Sequence, residues 1–289
     1  MQYIFLDFEW NNAYSKKHQR YINEIIEIGA VKLNENLEEI GRFDTIIHSK
    51  ITKKLETRFR NLTSISNEDM LSGVPFEKAI EDFRKFCGED YLTITWSNSD
   101  LYAIVDNFKA YKPNERIEFI GKYLDMQKYF QSIYPNPEKN QISLKDAAEK
   151  IGVSIENITL HRASDDSALT ARIFKKIKDM GKFEDFIKDT LENNFFERLT
   201  FKPYLIDDIK SEYIKKSDLI FYCSECGARA KKHKNWTVKN KQFYNEFSCP
   251  KCNKKFLGRL CVKKYFDTTK VKKVVLNLKP KAKEKSEVI

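Results

Sequence analysis

The sequence predicts an α/β domain, a mixed sheet flanked by helices, followed by a small cysteine-rich module. Strand-like apolar runs cluster in the first 48 residues, and helical repeats then alternate with a further strand-like run. Two Cys-x-x-Cys pairs follow, starting at Cys223 and Cys249. A chain of 289 residues with 41% hydrophobic residues is long enough to bury one large core and a small second one.

Three strands are predicted near the N-terminus. Their apolar runs extend from Tyr3 to Phe8, from Glu24 to Leu33 and from Ile40 to His48. The polar residues between the first two runs predict a loop, and Asn34 to Asn36 predicts a hairpin turn between the last two.

Helices and one more strand are predicted in the rest of the first domain. Apolar residues between Phe76 and Phe86 recur at the spacing of one helix face, and Tyr91 to Trp96 is a strand-like run. Ser143 begins a second helix with a capping-box pattern and Gly152 ends it. A third helix is predicted from about Ser164 to Lys178.

These elements divide the chain into four predicted segments. Residues 1–181 form the α/β domain, and the charged residues 182–217 form connecting helices. Residues 218–266 form the cysteine-rich module. Residues 267–289 form a basic tail that is partly disordered, because residues 279–285 are rich in lysine and poor in apolar residues.

The positive charge is concentrated in the last quarter of the chain. Of a net +10, residues 221–289 carry +14, from 19 Lys and Arg against 5 Asp and Glu, which leaves −4 for residues 1–220. Clustered cations favour binding to a phosphate backbone, and the alternative is a solvated basic surface. No apolar stretch is long enough to span a bilayer and no signal-peptide pattern is present, so we expect a cytoplasmic protein without membrane contact.

Two carboxylates share one face of the first predicted strand. Asp7 and Glu9 are two residues apart, so their side chains point the same way. Like charges placed together need a cation, and carboxylate oxygens suit Mg²⁺ or Mn²⁺. The alternative is a solvated acidic strand end.

Further acidic residues follow a predicted strand and lie at the start of a predicted helix. Asp100 follows the strand-like run that ends at Trp96, where its alternative role is a helix N-cap. Asp165 and Asp166 both fall in the first turn of the last predicted helix. Asp166 is in phase with the apolar residues at i+3 and i+7, so it should face the sheet, and Asp165 is a charge at the helix start.

Together these segments resemble the motifs of the DEDDh 3′-to-5′ exonucleases. Their D-x-E, N-x-D and H-x-x-x-x-D motifs match Asp7 to Glu9, Asn98 to Asp100, and His161 to Asp166, in that order. The resemblance extends over about residues 1–180. Trp10 and the Thr95 to Asp100 segment are similar to the ERI-1-like and KapD-like branch.

The resemblance implies an RNase H-like fold and a two-metal-ion hydrolase. Asp7, Glu9, Asp100 and Asp166 would hold two Mg²⁺ or Mn²⁺ ions, and His161 would be the general base. The implied substrate is the 3′ end of single-stranded nucleic acid, with RNA favoured by the branch. The alternatives are a DNA-directed editing or repair exonuclease, and a catalytically inert nucleic-acid-binding scaffold of the same fold.

The cysteine spacing predicts a zinc ribbon. The pairs Cys223/Cys226 and Cys249/Cys252 are separated by 22 residues, and four thiolates complete one closed structural Zn²⁺ site. His233 is then a surface residue, and the other two cysteines, Cys87 and Cys261, are ordinary buried thiols.

The module also carries aromatic residues among its lysines. They are Trp236, Phe243, Tyr244, Phe247, Phe256 and Tyr265. Such rings either stack on unpaired bases or form the small core of the ribbon. We expect the ribbon and tail to raise nucleic-acid affinity without taking part in the chemistry.

Overall fold

In the computed structural model, residues 1–136, 140–192 and 194–278 are described. The chain divides into two compact units, one comprising Met1–Thr200 and the other beginning at Phe201. No helix in these ranges has the length and hydrophobicity needed to cross a bilayer. The lysine-rich end of the predicted tail, residues 279–289, lies outside the described residues.

A mixed sheet forms the centre of the first unit, as predicted. Its order is β3-β2-β1-β4-β5-β6. β1 pairs antiparallel with β2, and β2 with β3, whereas β1, β4 and β5 are parallel and β6 is antiparallel to β5. The strands are β1 (Gln2–Ser15), β2 (Arg20–Leu33), β3 (Glu39–Ile46), β4 (Tyr91–Thr95), β5 (Lys122–Asp125) and β6 (Lys188–Asp189).

The predicted loop after Phe8 is wrong. β1 continues to Ser15, which pairs with Arg20, so β1 and β2 form a long hairpin with an irregularity after Glu9. The buried side chains of this extension include polar ones such as Asn11. Because a polar residue faces the interior there, the extension lacks the apolar alternation that marks a half-buried strand.

Helices cover both faces of the sheet. They are α1 (Thr57–Thr63), α2 (Asn67–Ser72), α3 (Phe76–Cys87), α4 (Ser99–Tyr111), α5 (Met126–Ile133), α6 (Leu144–Lys150), α7 (Ala163–Ile177) and α8 (Phe195–Thr200). The three predicted helices are confirmed as α3, α6 and α7, and the Ser143 side chain caps α6 by accepting from the Asp146 N–H at 3.1 Å.

Alternation along β1 sends its residues to two different cores. Ile4, Leu6 and Phe8 belong to a core that includes residues of α3 and α4. Tyr3 and Phe5 belong to the opposite core, which includes residues of α5, α6 and α7. The next residues on that second face are Asp7 and Glu9, so the carboxylates extend the face that α7 covers.

The predicted connecting helices between residues 182 and 217 are largely absent from the described residues there. β6 pairs with β5 of the first sheet, and α8 packs its two phenylalanines against the first core. Further along, Ile206 is buried in the core of the second unit. The segment therefore contributes an edge strand and packed apolar residues to the first unit and a core residue to the second.

A second antiparallel sheet forms the other unit. Its order is β12-β11-β10-β8, and β7 pairs with β11 and β9 with β10. The strands are β7 (Tyr204–Leu205), β8 (Lys231–Lys232), β9 (Thr237–Lys239), β10 (Gln242–Ser248), β11 (Lys255–Lys264) and β12 (Thr269–Leu276). β12 lies within the predicted tail, and it pairs with β11 over its whole length. Its apolar residues, of which Val275 packs on the core, make it a strand despite its lysines.

Candidate active site and cysteine cluster

The third carboxylate, that of Asp100, is hydrogen-bonded to the backbone of β1. Asp100 lies in the first turn of α4 and is only 3% exposed. Its Oδ1 accepts the N–H of Phe8 at 3.1 Å, and Phe8 stands between Asp7 and Glu9. Asn98 occupies the N-cap position of α4, so the alternative role of Asp100 as the N-cap is wrong.

The fourth carboxylate comes from α7. Asp166 is 9% exposed, and its Oδ2 accepts the N–H of His161 at 3.1 Å. The backbone of His161 is left-handed, with φ of 65°, which turns the chain into the helix while the side chain stays exposed. Asp165 instead accepts the N–H of Thr159 at 2.9 Å and is only half-buried, in keeping with the helix phase.

One oxygen of this group has no hydrogen-bond partner within the described parts of the chain. Asp166 Oδ1 is buried and accepts no hydrogen bond from any residue that the structure describes. A buried acceptor left in this way costs on the order of 1–3 kcal/mol. A bound cation would remove that cost, so the orphaned oxygen fits a metal ligand.

Burial and neighbouring negative charges raise the pKa values of all four carboxylates. Burial raises the pKa of Asp7 well above its ordinary value, and the charge of Asp100 adds to the rise. Burial raises the pKa of Glu9 to about 8, of Asp100 to about 7 and of Asp166 to about 6. Without a cation, protons therefore compete for this cluster near neutral pH.

Three of these side chains come closest together. One ligand atom each from Glu9, His161 and Asp166 lie within 4.8 Å of one another. Asp7 lines the same cleft, which has a volume of about 510 Å³. Asp100 does not line it, but accepts the N–H of Phe8, which does. Burial lowers the pKa of His161, which keeps its imidazole neutral and able to accept a proton at neutral pH.

The walls of the cleft include residues that sequence reasoning did not select. Arg58, Phe59 and Leu62 of α1 line it together with Trp10. Trp10 and Phe59 are half-buried, and Arg58 is exposed. Aromatic rings and a cation beside carboxylates provide a surface for a base and a phosphate.

A partly buried ion pair holds the loop before α7, and sequence reasoning missed it. Glu27 of β2 is fully buried and accepts from Arg162 Nε at 2.9 Å and Arg162 Nη2 at 2.6 Å. Its other oxygen accepts the Ala163 N–H at 3.1 Å. Burial raises the pKa of Glu27, whereas these hydrogen bonds lower it. The pair fixes His161, the neighbour of Arg162, relative to Glu9, which lies opposite Glu27 in the sheet.

A close backbone approach completes the positioning of α7. A Cβ at Gly29 of β2 would lie 2.0 Å from the backbone of Ala163 and of Ser164. Ser167 Oγ also donates to the Gly29 carbonyl at 2.9 Å. Only glycine permits this approach, which brings the first turn of α7 onto the sheet opposite Asp7.

The four predicted zinc ligands form a cluster in the second unit. Cys223 Sγ is 3.5 Å from Cys252 Sγ, and Cys226 Sγ is 3.3 Å from Cys249 Sγ. These separations exceed a disulfide bond of about 2.05 Å. They are near the roughly 3.8 Å that a tetrahedral site with Zn–S of about 2.3 Å requires.

The two cysteine pairs have matching turns. The N–H of Gly227 donates to the Cys223 carbonyl, and the N–H of Asn253 donates to that of Cys249. Both Gly227 and Asn253 are left-handed, with φ of 70° and 58°. Backbone N–H groups, first that of Cys252, lower the pKa of Cys249 to about 6, which favours its thiolate. The backbone N–H of Lys254 lowers the pKa of Cys252, but the neighbouring Cys249 and Cys223 raise it, to about 12.

Most of the aromatic residues of the module form its core. Phe243, Phe247 and Phe256 are buried, and Trp236 packs against them. Tyr244 and Tyr265 are half-buried and absent from that core. His233 is exposed, as predicted, and Cys261 is half-buried, whereas Cys87 is buried.

A protein-family match that covers most of the first unit identifies the family of this chain. The family model described as Exonuclease (RNase_T) matches residues 4–174, more than half of the chain. The chain belongs to this exonuclease family. The match contains the segments that carry all four carboxylates and His161, and the cysteine cluster lies outside it.

Individual relatives of the exonuclease domain are distant. DNA polymerase III subunit epsilon of Aquifex aeolicus is 26% identical over 155 residues, which cover 54% of this chain and 72% of that protein. The nuclease domain of 3′hExo, a DEDDh family member bound to rAMP, has a TM-score of 0.54 and 22% identity and covers 62% of this chain and 92% of that one. A 3′-exonuclease that recognises a histone mRNA stem-loop has a TM-score of 0.55 and 20% identity, with coverage of 62% and 82%.

These likenesses establish the fold of the first unit. It is an RNase H-like exonuclease fold, as the sequence predicted. Exonucleases of this fold use divalent metal ions, and the orphaned Asp166 oxygen and the raised carboxyl pKa values fit that chemistry.

Substituting Arg162 by methionine should destabilise the protein, because Glu27 would remain buried without its cation. We expect Arg162→Met to lower the free energy of unfolding by on the order of 3 kcal/mol. The matched control is Arg42→Met, whose partner Glu39 is exposed, with an expected loss below about 1 kcal/mol. Urea denaturation measures both variants, and equal losses would contradict a positioning ion pair at Glu27.

Divalent ions should stabilise the fold more at high pH than at low pH. Carboxyls whose pKa is raised by folding stabilise the fold while protonated, and that contribution is lost as the pH rises through about 6, 7 and 8 for Asp166, Asp100 and Glu9. The rise in Tm on adding Mn²⁺ should therefore be larger at about pH 8 than at about pH 5. Asp166→Asn should abolish the rise and Asp165→Asn should keep it. A rise that is the same at both pH values would count against the site.

Proposed function

We propose that this protein is a 3′-to-5′ exonuclease that removes nucleotides from single-stranded nucleic acid with two divalent ions, Mg²⁺ or Mn²⁺. The observation that carries the proposal is that Asp7, Glu9, Asp166 and His161 line one cleft, with Asp100 hydrogen-bonded to Phe8 in its wall. One buried carboxylate oxygen there has no hydrogen-bond partner among the described residues. Neither an inert scaffold nor a purely structural domain requires like charges to be buried together.

Each side chain has a distinct part in the proposed reaction. Asp7, Glu9, Asp100 and Asp166 would hold the ions, which when bound supply positive charge to the scissile phosphate and its attacking and leaving oxygens. His161 takes the proton of the attacking water, a role that its exposed position and lowered pKa support. Trp10 and Phe59 hold the terminal base, and Arg58 contacts the backbone phosphate.

RNA is the favoured substrate in this proposal. The support is the resemblance of Trp10 and the Thr95 to Asp100 segment to the ERI-1-like and KapD-like branch. Two solved neighbours of the same fold are a 3′-exonuclease that recognises histone mRNA and a nuclease bound to rAMP. A DNA-directed editing exonuclease is the second candidate, because a curated relative is a DNA polymerase III subunit.

We also propose that the cysteine cluster binds one structural zinc ion. Cys223, Cys226, Cys249 and Cys252 would bind Zn²⁺ with no open position, so the ion would stabilise the second unit and take no part in hydrolysis. Its sheet has a small core, for which bound zinc would supply additional folding free energy.

Activity assays on matched 5′-labelled oligonucleotides test this function. We expect a ladder of products shortened from the 3′ end with Mg²⁺ or Mn²⁺, none in EDTA, and faster cleavage of single-stranded RNA than of DNA or duplexes. Asp7→Ala and Asp166→Ala should each reduce kcat by at least about 10³-fold, since each removes a ligand of the ions. Asp165→Ala is the matched control and should retain activity.

The outcomes separate the candidates. Faster cleavage of DNA than of RNA would select the editing exonuclease. Full activity in EDTA or in the Asp7→Ala variant would contradict metal-dependent hydrolysis at this site. Binding without cleavage under every metal condition would indicate the inert scaffold.

A further inference from the structure

One surface of the second sheet is turned away from the hydrophobic core. Along β11, the side chains of Phe256, Leu260 and Val262 are buried, so the alternate residues Leu257, Arg259, Cys261 and Lys263 point to the opposite side. In the strand register, Arg259 lies opposite Tyr244 of β10. We define the outer face as the outward side chains Tyr244, Arg259, Lys263, Tyr265, Lys270 and Lys272.

The cations of the outer face have no carboxylate partners among the described residues. Elsewhere in this unit, Lys234 pairs with Glu246 and Lys254 pairs with Glu225. Lys263 lies directly opposite Lys270 in the register, and like charges in that position repel. A polyanion bound to this surface would remove the repulsion.

Two tyrosine rings lie among these cations. Lys263 Nζ is 5.4 Å and Lys270 Nζ is 5.2 Å from the centre of the Tyr265 ring. Tyr244 is the cross-strand neighbour of Arg259. Both rings are half-buried, whereas the phenylalanines of the same strands belong to the core. Rings alternating with cations are the arrangement that contacts the bases and phosphates of a single strand.

We propose that the outer face binds single-stranded nucleic acid. Arg259, Lys263, Lys270 and Lys272 contact phosphates, and the Tyr265 ring stacks on a base. An acidic protein segment would satisfy the cations but would give no role to the tyrosine rings among them. The inference rests on the proposed function, because the strand bound here is taken to be the exonuclease substrate.

Binding measured over a series of KCl concentrations tests the proposal. The full chain carrying Asp7→Ala, which should leave the oligonucleotide intact, is titrated into a labelled oligo(U) and followed by fluorescence anisotropy. Adding Lys263→Gln and Lys270→Gln should weaken binding about tenfold at low salt. It should also reduce the slope of log affinity against log salt by about 1.4, since each phosphate contact on a single strand contributes about 0.7.

Two comparisons separate a specific contact from general loss of charge. Lys210→Gln with Lys216→Gln removes the same charge from exposed lysines that precede the cysteine cluster, and it should leave the slope nearly unchanged. Tyr265→Ala should weaken binding about tenfold at an unchanged slope, because it removes stacking, and Tyr265→Phe should bind like the parent. Zinc content and thermal unfolding establish that each variant is folded.

The outcomes distinguish this proposal from the proposed function. Unchanged affinity and slope in the Lys263→Gln/Lys270→Gln variant would contradict nucleic-acid binding at the outer face, even if the wild-type chain degrades RNA. Salt-sensitive binding of poly-glutamate that depends on the same lysines, without any effect on oligo(U), would overturn it too and assign the surface to acidic proteins. A third outcome is that the wild-type chain cleaves nothing while the variants still show the predicted changes in binding. That result would support nucleic-acid binding at the outer face and contradict the proposed exonuclease activity.

Discussion

The repulsion among four closely placed carboxylates, two of them buried, is the constraint on which the first unit depends. Asp7, Glu9, Asp100 and Asp166 come from one strand and two helices, and each would be more stable in water than beside the others. The fold holds them with backbone donors, Phe8 N–H for Asp100 and His161 N–H for Asp166. These donors orient the carboxylates without neutralising them, which leaves their charge available to cations.

The surrounding structure holds α7 against that repulsion. Gly29 lets the start of α7 approach β2, and the Glu27–Arg162 pair fixes the loop that carries His161. Glu27 is a further buried carboxylate beside them, but this one has its cation and its hydrogen bonds within the protein. Glu27 has an ion-pair partner, whereas the other four carboxylates have none among the described residues. That difference separates the positioning part of the site from the proposed metal-binding part.

Sequence reasoning identified the parts that have local signals. The alternation of β1, the periodicity of α3 and α7, and the phase of Asp166 against Asp165 all follow from the period of one element. The β1 extension was missed because its buried positions include polar Asn11, and β12 was missed because three of its eight residues are lysines. Local patterns contain no information on pairing across the sheet, which stabilises both segments.

Contacts between distant segments account for what was missed in the site. Glu27 stands in an otherwise apolar run, which is a signal for a buried partner, but nothing in the sequence identifies that partner as Arg162, 135 residues away. The cleft wall from α1 has no motif at all. In the second unit, the sequence shows aromatic residues interleaved with basic ones but does not show which rings are buried. The strand register and the core contacts distinguish the core phenylalanines from Tyr244 and Tyr265.

The central claim is that the orphaned oxygen of Asp166 is a metal ligand at a site shared by all four carboxylates. Anomalous diffraction from crystals soaked in Mn²⁺ tests it most directly. The account predicts manganese peaks bounded by Asp7, Glu9, Asp100 and Asp166, one of them within coordinating distance of Asp166 Oδ1. A fully soaked crystal without a peak at that oxygen would contradict it.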